Sequence, residues 1–152
     1  MHIDDTDRRL LRQLQADPAL GFAELADRAN VSAATARRRL ERLREAGVLN
    51  GPRAVIDWDA LGYRVEVSLR IAIDKTVPGA FDRFLEEARK IPEVTEIQTF
   101  LGRVDLRLSV RARDMADYQR IYRDRILSLP HMADIEALVR VATIFERESL
   151  PL

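Results

Sequence analysis

Cysteine is absent from the chain, and histidine occurs only at His2 and His131. The first absence excludes disulfides, thiolate zinc sites and cysteine nucleophiles, and it suits a reducing compartment. The second leaves no histidine-rich metal site. No Ser/His/Asp set and no glycine-rich phosphate cradle is recognisable, so neither an enzyme nor a metal or other cofactor is expected. No apolar run approaches the roughly 20 residues of a membrane span. The opening residues, His2-Ile3-Asp4-Asp5, lack the basic and apolar regions of a signal peptide. The expected compartment is therefore the cytoplasm, with no membrane partner. An excess of either charge is missing too, since 25 basic residues balance 25 acidic ones. A zero sum neither supports nor excludes nucleic acid; the distribution decides.

What is present suits a soluble globular chain, with 47% apolar and 33% charged residues in 152. That length holds one ordinary domain or two small ones, and small domains bury a limited share of their surface, which favours oligomerisation. The charges are unevenly placed. Between Ser32 and Arg44 stand Arg37, Arg38, Arg39, Arg42 and Arg44 against Glu41 alone, a net of +4 on one short segment.

Helical periodicity dominates up to about residue 47. Acid at Asp4, Asp5 and Asp7 marks a helix start, where the macrodipole favours it. Leu10, Leu11 and Leu14 form the first helix's apolar stripe, and Asp17-Pro18 ends it. A second helix follows Gly21 and places Phe22, Leu25, Ala26 and Ala29 on one face. After a tight turn at Ala29-Asn30-Val31, Ser32 is the N-cap of a third helix that stops at Gly47. Gly, Pro, Asn and Asp then cluster from Gly47 to Gly62 around a short extended piece, Ala54-Val55-Ile56.

The remainder alternates strand and helix. Val65 to Ile73 carries an apolar residue at every odd position, a half-buried strand. Val77-Pro78-Gly79 opens a helix with Phe81, Phe84, Leu85, Ala88 and Ile91 on one face. Val94 to Leu101 reads as a strand, Gly102-Arg103-Val104 as a turn, and Leu106, Leu108 and Val110 as the inward face of the next strand. Asp114 caps a helix with Met115, Tyr118, Ile121, Tyr122, Ile126 and Leu129 inward. Leu129-Pro130 ends it, and Ile135 to Ile144 forms a last strand. The order βαββαβ is the ferredoxin-like split βαβ. The predicted class is α+β: a winged or three-helix helix-turn-helix domain at 1–50, a linker with a short strand at 51–62, and a ferredoxin-like βαββαβ domain at 63–152. With both helices on one face of the sheet, the other face needs cover, which a second copy could supply.

Two helices, a short turn and a basic helix make the helix-turn-helix signature. At 100° per residue, Ala33, Ala36, Leu40 and Leu43 point inward while Ala34, Thr35, Arg38 and Arg42 lie opposite. Ala34 and Thr35 are small enough for close approach to base edges. Arg38 and Arg42 have the reach and forked donors for guanine or phosphate. Arg37, Arg39 and Arg44 flank the core face and suit phosphates. Ser32 can donate to phosphate where backbone amides also point. A basic run alone more often solvates an exposed helix; the two preceding helices and the Ser32 cap turn the balance toward DNA.

These residues resemble the Lrp/AsnC (feast/famine) transcription regulators over nearly the whole chain. Ile3 to Asp17 is similar to that family's opening motif. Glu24-Leu25-Ala26, Val31-Ser32, Arg39 to Leu43 and Gly47-Val48-Leu49 are similar to its helix-turn-helix, and Gly102 with Asp105 to the turn of its regulatory domain. Asp114 to Tyr118 and Leu129-Pro130 resemble the segment after it. The resemblance implies a homodimer formed through the second domain, often assembled to a tetramer or octamer. It also implies a pseudo-palindromic double-stranded operator and an amino acid or related metabolite as effector. By position, Ser32, Thr35, Arg38, Arg39 and Arg42 would contact DNA, and the turn Leu101, Gly102, Arg103, Val104, Asp105 would contact effector. Leu101 and Val104 depart from the small hydroxyl and aromatic residues usual there, and Gly21 from a serine cap.

The bland readings stand beside these. Asp105 either accepts turn amides or binds an ammonium group. Arg103 either grips a carboxylate or is solvated. Trp58 reads as an interdomain latch, His131 as a loop residue, and Tyr118 and Tyr122 as core. An enzyme of the same two-domain plan, processing tetrapyrroles, would carry histidine-rich motifs that are missing here. An interaction module without a ligand is the other alternative.

Overall fold

Asp4 starts the first helix. Its short carboxylate accepts the Asp7 amide at 3.0 Å while Asp7 accepts the Asp4 amide at 3.1 Å, a reciprocal capping box. In the computed structural model, which describes residues 2–51, 54–147 and 149–152, this cap opens α1 (Asp5–Ala16). Then follow α2 (Phe22–Arg28) and α3 (Ala33–Glu45). The chain divides into two compact units, Met1–Val55 with Phe145–Leu152, and Ile56–Ile144.

The three helices of the first unit close on Leu10, Leu25, Ala26, Ala29, Ala36, Leu40 and Leu43, all buried. Each fully buried leucine contributes roughly 1.5–3 kcal/mol. The end of α3 is fixed by Gly47, at φ +69°. Its amide donates to the Arg44 carbonyl at 2.9 Å, and the Val48 amide to the Leu43 carbonyl at 2.9 Å. That is the paired C-terminal closure a left-handed residue permits.

The second unit contains β1 (Val65–Ile73), α4 (Ala80–Ala88), β2 (Val94–Thr99), β3 (Leu106–Ala112), α5 (Met115–Ile121) and β4 (Met132–Val139). The sheet order is β2-β3-β1-β4, with every neighbouring pair antiparallel. Val67, Leu69 and Ile71 of β1 and Leu106, Leu108 and Val110 of β3 point into one core with Phe84, Ala88, Tyr118, Ile121 and Ile126. After α5 the helix widens to π geometry over Tyr122–Ile126. The extra residue per turn keeps both Ile121 and Ile126 fully buried, whereas uninterrupted α spacing would send Arg125 inward.

The structure departs from the periodicity at several ends. Phe22, Ala33, Phe81 and Met115 are exposed. Each lies in the first turn of its helix, where the apolar face runs past the edge of the core. The last strand stops at Val139, not Ile144. Val139 opposes Val67 and the Arg140 amide reaches the Glu66 carbonyl at 2.9 Å, close to the start of β1, so the ladder has no further partner. Likewise β2 stops at Thr99, leaving Phe100 and Leu101 exposed. No strand forms over Ala54–Ile56, where Val55 is 88% exposed and nothing in the described residues pairs with it. Pro52 and Arg53 of the expected linker lie outside the described residues. Trp58 meets Tyr63 edge-on within the second unit, 6.2 Å between ring centroids.

Candidate nucleic-acid interface and effector turn

Ser32 sits before α3 with extended backbone and accepts the Thr35 amide at 3.1 Å, while its hydroxyl donates to Thr35 Oγ1 at 2.9 Å. The cap satisfies one of the orphan amides at the helix start. Ala34 and Arg38 are exposed beside it, and Thr35 is half-buried. These residues therefore form one small, polar surface at the N-terminal end of α3.

The arginines behind that surface are not equivalent. Arg37 pairs with Glu41 one turn on, at 3.2 Å, with both side chains well exposed. Such a pair contributes only roughly 0.3–0.5 kcal/mol and yields readily. Arg39 bonds both Asp4 and Asp7, the latter at 3.2 Å, and Arg42 bonds Asp7 at 2.5 Å. Asp7 is fully buried, and its carboxylate is satisfied by the Asp4 amide and two guanidinium groups. The Arg39 guanidinium and then the Asp7 amide hold the Asp4 carboxyl down at about 2. The Arg39 pKa is raised, first by Asp4. Arg39 and Arg42, both expected to contact DNA, are thus ion-paired with Asp4 and Asp7 at the start of α1. Among the described residues, Arg38 and Arg44 are the arginines of α3 with no ion-pair partner. Periodicity places side chains on faces of one helix and cannot reveal a carboxylate arriving from another.

In the second unit the turn after β2 has two sides. Phe100, Leu101, Gly102, Arg103 and Val104 line an open depression of about 440 Å³ together with Arg70 and Arg107. Arg70 of β1 and Arg107 of β3 are direct cross-strand partners. Like charges so placed repel. Each has an acid to offset this, Glu136 at 3.5 Å for Arg70 and Glu96 at 3.0 Å for Arg107. Gly102 adopts φ +150°, a conformation that side-chain-bearing residues rarely take.

Asp105 belongs to the other side of the turn. Its carboxylate accepts the Ile73 amide at 2.9 Å and Lys75 Nζ at 3.0 Å, and these contacts, the amide first, lower its pKa. It faces a separate depression between β1 and the start of α4, lined by Asp74, Lys75 and Pro78 among others. The expected five-residue effector set is thus split. Leu101 to Val104 are joined by Phe100, Arg70 and Arg107, while Asp105 ties the turn to the end of β1. The sequence signal that could have found Arg70 and Arg107 is their position on the non-core face of adjacent strands. Tyr118 is core, as its spacing suggests, and burial pushes its hydroxyl up to about 12. His131, at φ +62°, lies in the loop before β4 and bonds the Asp74 amide through its carbonyl at 2.9 Å.

Known proteins match this arrangement in both units. The family model described as Lrp/AsnC ligand binding domain matches residues 66–150, and that described as winged helix-turn-helix DNA-binding matches residues 3–50. The chain is 31% identical over 147 residues to the proline dehydrogenase transcriptional activator of Rhodobacter capsulatus, covering 97% of this chain and 96% of that one. It is similar to the solved structure of a Neisseria meningitidis transcriptional regulator in complex with L-Met, with TM-score 0.88, 27% identity, and coverage of 99% and 97%. Escherichia coli AsnC shares the fold with TM-score 0.90 over 100% of both chains at 24% identity.

Proposed function

This chain belongs to the Lrp/AsnC family of transcriptional regulators, and from that premise we propose how it reads DNA and senses its signal. It is a DNA-binding regulator whose α3 enters the major groove with Ala34, Thr35 and Arg38 toward the bases and Ser32 and Arg37 toward phosphate. The observation that carries this is the Ser32-capped start of α3, where small residues stand beside Arg38, which no acid neutralises among the described residues. Arg39 and Arg42 stand behind that surface in their ion cluster.

The second unit binds an amino acid or related metabolite at the turn after β2. Arg70 and Arg107 suit a carboxylate, and Phe100, Leu101 and Val104 suit an apolar side chain. L-Met, held by the Neisseria relative, is the first candidate. A second copy covers the sheet face opposite the helices, so that two recognition helices meet successive major grooves of a pseudo-palindromic operator, roughly 34 Å apart. Dimers assemble further to tetramers or octamers, and effector shifts that equilibrium. The protein works in the cytoplasm, on the nucleoid; no helix among the described residues is long and apolar enough to cross a membrane. The tetrapyrrole-enzyme reading gives way to the family assignment.

The test is a mobility-shift titration on the promoter-proximal DNA around the protein's own gene. Arg38→Ala weakens specific binding by roughly 1–3 kcal/mol. Unchanged affinity would remove Arg38 from the interface.

A further inference from the structure

A fully buried carboxylate beneath a DNA-reading helix is unexpected on stability grounds alone. A buried ion pair is often no more stabilising than apolar residues of the same volume. At the α1–α3 contact, two carboxylates, Asp4 and Asp7, meet two guanidinium groups, Arg39 and Arg42, so the cluster carries no net charge. Arg39 is the more deeply held, with its side chain 22% exposed against 45% for Arg42. The net +4 of the Ser32–Arg44 segment therefore overstates what a duplex would meet.

Phosphate contacts by arginine supply sequence-independent affinity through counterion release. A helix presenting all five arginines freely would hold any duplex strongly. Its base-reading end, Ala34, Thr35 and Arg38, would then contribute a smaller share of the discrimination. We propose that Asp7 is a positioning residue for DNA recognition: by engaging Arg39 and Arg42 it withholds both from the phosphate backbone, lowering affinity for non-specific duplex so that the start of α3 decides the site. This rests on α3 being the DNA-reading helix. Asp4 assists by holding Arg39 from its other side. The electrostatic consequence is separable from folding because it appears in the salt dependence of binding.

The experiment titrates full-length protein onto a labelled random-sequence duplex of about 30 base pairs between 50 and 200 mM salt. It compares wild type with Arg37→Gln, Arg42→Gln and Asp7→Asn. Each phosphate neutralised contributes about 0.9 to the slope of log K against log salt, or about 3.5-fold in affinity over that range. Arg37→Gln, which removes the phosphate contact, makes the slope shallower by about 0.9. Arg42→Gln leaves it unchanged, because that charge is already neutralised. Asp7→Asn releases Arg42 while Asp4 still holds Arg39, so it steepens the slope by about 0.9 and tightens binding at 50 mM salt, even though its melting temperature falls. An Asp7 that served folding alone would give weaker binding with no steeper slope, and that result overturns the proposal. If Asp7→Asn does not fold by circular dichroism, Arg42→Gln decides: a slope as shallow as that of Arg37→Gln overturns it, and an unchanged slope supports it. Wild-type protein that ignores duplex altogether would sink the reading of α3 itself, and this proposal with it.

Discussion

Asp4 shows how one short side chain serves two purposes. Its carboxylate caps α1 and pairs with Arg39, and these contacts hold its pKa at about 2 against an ordinary 3.8. A carboxylate whose folded pKa is depressed stabilises the protein above its unfolded pKa. That stability is lost as pH falls through the folded value. Asp4→Asn should therefore melt below wild type at neutral pH, with the gap closing as pH drops from about 4 to about 2. A gap that stays constant across that window would show that Arg39 does not lower the Asp4 pKa. Asp105 is a second residue with a depressed pKa, but its leading partner is the Ile73 amide, so it reports on the turn after β2 rather than on the three-helix unit.

At the scale of the element, α3 depends on its two ends. The Gly47 closure and the Ser32 cap set where the helix can run, and the apolar face of Ala36, Leu40 and Leu43 sets its rotation. Ser32→Ala should lower stability by about 1 kcal/mol in urea unfolding, since it orphans the Thr35 amide. Ser32→Asp separates the two roles. It keeps a capping acceptor and a favourable dipole interaction, so stability holds, but it sets a negative charge where the duplex phosphates would lie. Weak DNA binding with intact stability is the expected outcome, and undiminished binding would place Ser32 away from the duplex. The π turn after α5 is the converse case: local periodicity fails there, and the burial of Ile126 decides the helix's winding.

For the whole molecule, the second unit presents helices on one sheet face and a lattice of arginine–carboxylate pairs on the other. Arg107 pairs with Glu96, Arg70 with Glu136, and Arg111 with Glu66. If the turn after β2 holds an amino acid, L-Met at a hundredfold excess over its Kd should stabilise the protein by roughly 2.7 kcal/mol. Arg70→Ala should abolish that shift with little loss of basal stability, because its pair with Glu136 is long and exposed. A thermal-shift series in which Arg70→Ala responds to L-Met like wild type would place the carboxylate site elsewhere.

Residue order alone determined the order of the helices and main strands, the caps at Asp4, Ser32 and Asp114, the core faces of β1 and β3, and the basic character of α3. Those features arise from contacts a few residues apart, where hydrophobic period and capping chemistry act directly. The tertiary structure decided where the strands end, because a ladder stops where its partner stops. It also decided which helix-face residues meet solvent in the first turns. Above all it decided which arginines are free: Asp7 and Arg42 are 35 residues apart in the chain, and only folding sets their charges against each other.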